Sequence, residues 1–465
     1  MKIALLVPDG IGIRNYLYSD LLDQLAGQEV HVIHRLPKEV WQEITDLHQR
    51  GFPNSVLPDL PEDRFDSTLR KICMYGRLHL QSRIAKNDSI KKNWLFFSLA
   101  KGKQKWLYRL IDFLGAIVSI SPGLLLATEK WLYKRMMRSS SGQESKATLA
   151  DIQPDVILCT HQRSVEAGYL MTAARQMNIA TATVIFSWDN LPKSRINFLA
   201  DQYFVWSEWM KADLLRFYKH IDPKQVVVTG TPQFAFYHDA TLIWSREKFE
   251  AYFQVATGRP VICFSGNEPS FPSDHLYLRD LLEDMQTSSE ENIPFIIVRP
   301  SPADHTSRFA DIVKRYPNLC MLAMPEWKQF GAREWDSYFP VFNDTVVLSN
   351  LVHHASAVIN VGSTMGLDFA HTNKPALYVN YNHPDCSWFD LKYGYQQEHF
   401  KSLDGLDAVV WIRSRKEFMK AVMDVVDAGT DLAPDRLQWK QRITDDISNA
   451  SSRIAKSLIF TRLKE

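Results

Sequence analysis

Short runs of apolar, β-branched residues alternate along the chain with longer stretches whose apolar positions recur every third or fourth residue. That alternation predicts parallel sheets covered by helices, the α/β class. In the first half the expected strands are Lys2–Val7, Glu29–Ile33, Asp155–Cys159, Thr181–Phe186, Gln202–Trp206 and Gln225–Thr229. A second series follows at Pro260–Phe264, Pro294–Val298, Leu319–Ala323, Val346–Leu348, Ala357–Val361 and Ala376–Asn380. Between the series lie Gly230-Thr231-Pro232, a mostly helical stretch through Tyr252, and Thr257-Gly258-Arg259-Pro260. Turn residues of that kind mark a boundary. The expected domains are therefore 1–235 and 236–435, with an amphipathic helical tail over 436–465 returning toward the first. A chain of 465 residues also exceeds the roughly 250–300 residues at which a single core stops growing.

Residues 66–140 interrupt the first series with helical periodicity and no convincing strand. Charge changes how this insertion reads. The whole chain balances 54 Lys and Arg against 53 Asp and Glu, a formal +1, which taken as an average argues against nucleic acid or an anionic membrane as a partner. Arg70–Arg138, however, carries 15 basic residues against Asp88, Asp112 and Glu129, a net +12 that leaves −11 elsewhere. Trp94, Phe96, Phe97, Trp106, Tyr108, Phe113, Trp131 and Tyr133 are interleaved with those cations. Aromatic, basic and apolar residues together suit an anionic membrane surface, so 70–138 is the expected contact with one. The alternatives are a helical subdomain whose aromatics pack inward and whose lysines are solvated, and a nucleic-acid contact, which the chain as a whole does not favour.

Phe113–Thr128 is uncharged but holds Ser119, Ser121 and Pro122, and falls short of the ~20 residues a span needs. A buried or interfacial helix is expected there. The opening Met1–Gly10 breaks into Pro8-Asp9-Gly10 without a cleavage site, so a first buried strand is expected rather than a signal peptide. The five cysteines form no C-x-x-C pair and support neither a disulfide framework nor a zinc knuckle. A cytoplasmic protein, peripheral on the inner face of the cell membrane, is the localisation these features predict.

Ligands of open α/β sheets bind beyond the C-terminal ends of strands, so the loops there are the candidates. After the first strand, Pro8-Asp9-Gly10-Ile11-Gly12-Ile13 lacks the third glycine of a dinucleotide loop. Asp9 suits either a general base or a cap on a helix beginning near Ile13. His161, in Cys159-Thr160-His161-Gln162, and Asp189, in Phe186-Ser187-Trp188-Asp189-Asn190, follow later strands as candidate bases or structural residues, and Trp188 suits a sugar face or a core. The strongest pattern is Asn360-Val361-Gly362-Ser363-Thr364-Met365-Gly366-Leu367-Asp368, an apolar strand running into a glycine, two hydroxyls and a helix. Gly362, Ser363 and Thr364 are candidates for a diphosphate and Asp368 for ribose hydroxyls, the alternative being an N-cap. Gly266 and Asn267 end the first strand of the second series, and Arg299 ends its second, where a guanidinium fork suits phosphate.

With Gly230-Thr231-Pro232, Arg299-Pro300-Ser301-Pro302 and Gly362-Ser363-Thr364 before Asp368-Phe369-Ala370, the chain resembles the GT-B superfamily of glycosyltransferases. The resemblance is to bacterial surface-polysaccharide glycosyltransferases and to CDP-glycerol glycerophosphotransferases. It implies two Rossmann-like domains facing across a cleft, the second holding the nucleotide donor through Ser363, Thr364 and Asp368. Relatives often carry His where this chain has Ser301. The implied reaction is metal-independent transfer of a sugar from a nucleotide-sugar, as substrate and without a cofactor, to a hydroxyl of a glycan or lipid-linked acceptor. The absence of Asp-x-Asp or His/Cys ligand spacing agrees with that. A glycerophosphotransferase with a CDP-linked donor, a nucleotide-sugar epimerase and a non-catalytic nucleotide-binding scaffold are the alternatives.

Overall fold

The computed structural model describes residues 1–92, 102–268, 271, 273–329, 338–386, 390–445 and 447–462. The chain divides into two units. Met1–Pro232, Gln396–Lys401 and Ile443–Glu465 form one, and Gln233–Tyr395 with Ser402–Arg442 form the other.

In the first unit, β1 (Lys2–Val7), β2 (Glu29–His34), β3 (Asn54–Val56), β4 (Val156–Cys159), β5 (Ala180–Val184), β6 (Gln202–Val205) and β7 (Val226–Val228) form a seven-stranded sheet. Its order is β3-β2-β1-β4-β5-β6-β7 and every pairing is parallel. Ile3 to Val7 are all buried, because a parallel sheet is covered on both faces and its central strands read as continuous apolar runs. The edge strand Asn54-Ser55-Val56, exposed at its first and last residues, has no such run and escaped the sequence pattern. From β1 the chain winds outward to β3 and then returns to β4 on the other side, so the winding reverses between β1 and β4.

The insertion before β4 is helical as expected: Arg64–Ala85, Ser89–Lys92, Lys103–Val118, Pro122–Met136 and Ser140–Ile152. Trp94, Phe96 and Phe97 lie outside the described residues. The uncharged run Phe113–Thr128 is not one helix but two, because the chain turns at Ser119–Ser121. Ser121 accepts from the Leu124 N–H, and Pro122 supplies the first helical position, where its missing N–H costs nothing. Among the described residues no helix is long and apolar enough to cross a membrane. Arg77 and Arg195 both donate to buried Glu129, tying two insertion helices to the segment that follows β5.

The second unit carries β8 (Val261–Ser265), β9 (Phe295–Arg299), β10 (Cys320–Leu322), β11 (Trp327–Gln329), β12 (Tyr338–Pro340), β13 (Ala357–Asn360), β14 (Ala376–Val379) and β15 (Val410–Ile412). Six of them form a parallel sheet in the order β10-β9-β8-β13-β14-β15, and β11 pairs antiparallel with β12. Here the winding reverses between β8 and β13. Ile262, Phe264, Ile296, Val298, Ile359 and Leu377 build the core of this sheet. Val346–Leu348, expected as a strand, lies inside the helix Phe342–His354. Asp344, Thr345 and Val347 to Val352 are all buried, so this helix is covered on nearly every side and its short apolar run reads like a buried strand. The expected single tail helix is also two, Arg436–Thr444 and Ala450–Arg462, and the second packs on β4, β5 and the Leu21–Gln24 turn of the first unit.

Candidate functional site

In the first unit the loops after β1 and β4 flank the reversal point, and two of the three expected bases meet there. Asp9 is buried and divides its carboxylate. Oδ1 accepts from the Gly12 N–H at 2.9 Å, capping the turn Gly10–Gly12, while Oδ2 lies 2.5 Å from His161 Nδ1. The capping reading of Asp9 is the one seen, on the turn Gly10–Gly12 rather than on a helix beginning near Ile13, while its second oxygen orients His161. Because that carboxylate is acting as acceptor on both oxygens, Nδ1 is the donor, and in the neutral imidazole Nε2 carries the lone pair. The imidazole is stacked on Phe186 with centroids 4.2 Å apart, which fixes the ring plane. Nε2 itself is buried and meets no hydrogen-bond partner among the described residues. A buried nitrogen left unmatched costs about 1–3 kcal/mol, and such a group is tolerated where a substrate completes it.

Asp189 is corrected as a candidate base. Its Oδ2 is 2.6 Å from Lys193 Nζ and its Oδ1 accepts from the Asn190 side chain. Burial works to raise this carboxyl, yet Lys193 and His399 outweigh it and hold it well below the usual carboxylate range. An acid kept ionised by an ammonium is a poor proton acceptor. Trp188 is likewise buried, edge-on to His399 and Phe400, and belongs to the core rather than to a sugar platform.

In the second unit the reversal lies between β8 and β13, and the loops after those strands carry Gly266-Asn267 and Gly362-Ser363-Thr364. Asn267 links them, its side-chain N–H donating to the Val361 carbonyl. Gly266 has no room for a side chain, since a Cβ there would sit 2.5 Å from the Phe309 ring. Gly362 takes a φ of +68°, a conformation that glycine adopts without strain. Ser363 accepts from Met365 N through Oγ at 3.4 Å, while its own N–H donates to Asn360 Oδ1. Thr364 leads into the short helix Met365–His371. Residues 362–365 remain half-buried, open enough to meet a ligand.

Two donor-side expectations are corrected. Arg299 is not a free phosphate fork: its guanidinium is buried, 2.6 Å from Asp344 Oδ1, and also donates to the Met324 carbonyl. Asp368 is buried too, and its Oδ1 accepts from Tyr237 Oη at 2.6 Å, so that oxygen is not open to a ribose. Ser301 accepts from the Ala303 N–H within its own turn.

Arg308 was not singled out by the sequence and is central here. It donates to the Asn267 and Phe271 carbonyls, to Asp274 and to Asp304, pinning the loop after β8. Its only sequence signal is the spacing Asp304 to Arg308, one helical turn. Among the described residues no group of three or more His, Cys, Asp or Glu is arranged to hold a metal ion.

A family model described as monogalactosyldiacylglycerol (MGDG) synthase matches residues 122–232, which include β4 to β7 and His161. No curated protein matches the chain. Among solved structures, UDP-GlcNAc 2-epimerase from Neisseria meningitidis bound to UDP-GlcNAc superposes with a TM-score of 0.52 at 10% identity, covering 99% of this chain and 100% of that one. The UDP-GlcNAc 2-epimerase from Methanocaldococcus jannaschii gives 0.54 at 12% identity, over 99% and 100%. A glycosyltransferase from Rickettsia africae gives 0.54 at 10% identity, over 100% and 99%. With two parallel α/β sheets, each reversing its winding once, and full-length superposition on these structures, the chain is built on the GT-B fold.

Proposed function

We propose that the protein is a glycosyltransferase that moves a sugar from a nucleotide-sugar donor to an acceptor hydroxyl. The observation that carries this reading is the Asp9–His161 pair, with Nδ1 fixed on a carboxylate and Nε2 unmatched. A hydroxyl becomes a competent nucleophile when a positioned imidazole takes its proton, and the Asp9 carboxylate then stabilises the imidazolium that forms. Donor binding falls to the second unit, at the loops Gly266-Asn267 and Gly362-Ser363-Thr364 beside the β8/β13 reversal. Arg299 and Asp368 act there by holding structure, through Asp344 and Tyr237. The glycosyltransferase character of the structural neighbour from Rickettsia africae and of the matched family model supports the reading.

Epimerisation is the second reading, favoured by the neighbours described as UDP-GlcNAc 2-epimerases. The same imidazole would then remove a proton from carbon and no acceptor would be needed. A thermal-shift screen of nucleotides and nucleotide-sugars identifies the donor, because a bound ligand stabilises by its concentration relative to its Kd. Turnover of that donor is then followed with and without a lipid or glycan acceptor. Acceptor-dependent release of the nucleotide supports transfer, acceptor-independent isomerisation supports epimerisation, and no stabilisation by any nucleotide overturns both.

A further inference from the structure

The helix Lys103–Val118 is apolar on two sides. One side carries Ile111 and Gly115, four residues apart and buried, and faces the long helix Arg64–Ala85. The other carries Trp106, Leu110, Phe113 and Ile117, spaced four, three and four and therefore on one face, and they are 71, 53, 61 and 40% exposed. Ile120 in the following turn (73% exposed) and Leu124 near the start of the next helix (45% exposed) are open as well. A helix on the surface of a globular domain normally turns polar residues outward. A continuous apolar row of this length in the open marks an interaction surface.

The charges beside it say what kind. Both acids of the two helices are engaged within the fold: Asp112 Oδ1 is 2.7 Å from His79 Nε2, and Glu129 lies between Arg77 and Arg195. Lys105, Arg109, Lys130, Lys134 and Arg138 are all exposed. The guanidinium of Arg109 sits over the Trp106 ring at 5.3 Å, keeping a cation beside the largest exposed apolar group. The partner must therefore be apolar beneath a negatively charged surface. Two copies of this chain joined through the row by a two-fold would bring the same cations together, which opposes self-association there.

We propose that the row Trp106, Leu110, Phe113 and Ile117, together with Ile120, Leu124 and the flanking cations, docks the first unit on an anionic lipid bilayer. The apolar side chains enter the headgroup and acyl boundary while Lys105, Arg109, Lys130 and Lys134 meet lipid phosphates. The proposal is independent of the chemistry assigned to Asp9 and His161.

The test is co-sedimentation of the full chain with vesicles of phosphatidylcholine alone and of phosphatidylcholine and phosphatidylglycerol in equal parts. Strong partitioning onto the mixed vesicles, weakened by salt, with little onto the neutral ones, is the expected result. Phe113→Ser with Ile117→Ser lowers partitioning at least tenfold, and Lys130→Ala with Lys134→Ala lowers it by about fivefold for each cation removed. All four side chains are on the surface, and unchanged thermal unfolding of each variant verifies that only docking is altered. Failure of the unsubstituted chain to sediment with mixed vesicles, or variants that partition as well as it does, overturns the proposal. Light scattering that shows a dimer dissociated by Phe113→Ser with Ile117→Ser also overturns it, assigning the row to a second copy.

Discussion

Gly12 stands so close to Thr160 that a Cβ added to it would lie 2.7 Å from Thr160 Oγ1 and 3.0 Å from Val7 Cγ1. This contact lets the loop after β1 settle against the loop after β4 and brings Asp9 within reach of His161. Gly12 has helical backbone angles, so alanine would be unstrained in conformation and its cost is purely the contact. Gly12→Ala is expected to destabilise the protein by about 1–3 kcal/mol, as overpacking of a tight site does. Thr160→Ala removes the obstructing oxygen, which donates to the Leu6 carbonyl. Chemical denaturation of both single variants and the double variant should therefore give a double-variant loss smaller than the sum of the singles. Simple additivity would show that the two loops do not constrain each other.

The pair itself is tested by separating chemistry from binding. His161→Ala is expected to lower kcat by about 10²–10⁴, the contribution of a positioned base, with donor Kd unchanged by calorimetry. Asp9→Asn should fall nearly as far, because an amide can donate to Nδ1 and so leave the proton on Nε2. Asp189→Asn, which loses the Lys193 ion pair, should affect thermal unfolding more than kcat. Full turnover by His161→Ala would remove the histidine from the mechanism.

The donor side gives an opposite split. Ser363→Ala with Thr364→Ala is expected to weaken nucleotide-sugar binding by more than tenfold while leaving unfolding nearly unchanged, since the loop is half-buried and its Ser363 N–H is held by Asn360. Isothermal calorimetry with the donor found by the screen decides it. Unaltered affinity would move the donor away from this loop.

Much of this arrangement was legible in the sequence because buried parallel strands announce themselves as unbroken apolar runs, as Ile3–Val7 does. Loops after such strands could then be read as site candidates, and Asp9 and His161 were found that way. Their pairing could not be read, for 151 residues and the whole helical insertion separate them along the chain and only the β1–β4 register joins them. Burial was the other hidden variable. Arg299, Asp189 and Asp368 occupy expected positions in the chain, but Arg299 and Asp368 are met by Asp344 and Tyr237 from distant segments, and Asp189 by Lys193 one turn further along its own loop. In the insertion, by contrast, periodicity named the helices but not which of two apolar faces would be turned outward.

His371 should set part of the acid sensitivity of the second unit. Its ring is buried, stacked on Phe234 at 4.3 Å, with neither nitrogen hydrogen-bonded among the described residues. Burial first, then the charge of Lys440 and the neighbouring His238, push its pKa from 6.5 down to about 2. The folded state therefore keeps this imidazole neutral while the unfolded chain takes up a proton below pH 6.5, so stability falls as pH drops through that point. The expected slope from this group is about 1.4 kcal/mol per pH unit at pH well below 6.5. His371→Phe keeps the stacking and removes the proton site. Its unfolding free energy should exceed that of the parent by a growing margin from pH 6 to pH 4, and a margin independent of pH would rule the effect out.

Glu129 anchors the insertion, and its removal should be more damaging than the removal of its whole cluster. Arg77 Nε and Arg195 Nε both reach Glu129 Oε1, at 2.9 and 3.2 Å, and all three side chains are buried. Burial works against the ionised carboxyl, but the two guanidinium groups prevail and hold its pKa below the ordinary value. With the folded value depressed, the stabilisation is present above the unfolded pKa and is lost as pH falls through the folded one. Glu129→Leu leaves two buried guanidinium charges without their carboxylate, Arg195 keeping only its neutral partners Asn197 and Tyr133, at an expected cost of about 3–5 kcal/mol. Replacing all three together, Arg77→Met, Glu129→Leu and Arg195→Met, removes the unpaired charges along with the carboxylate. That triple variant should recover most of the loss, since a buried ion cluster exchanged for apolar side chains of similar volume is often neutral or better. Denaturant unfolding monitored at neutral pH measures both. A triple variant no more stable than Glu129→Leu would mean that the cluster contributes packing and hydrogen-bond geometry that apolar side chains cannot replace.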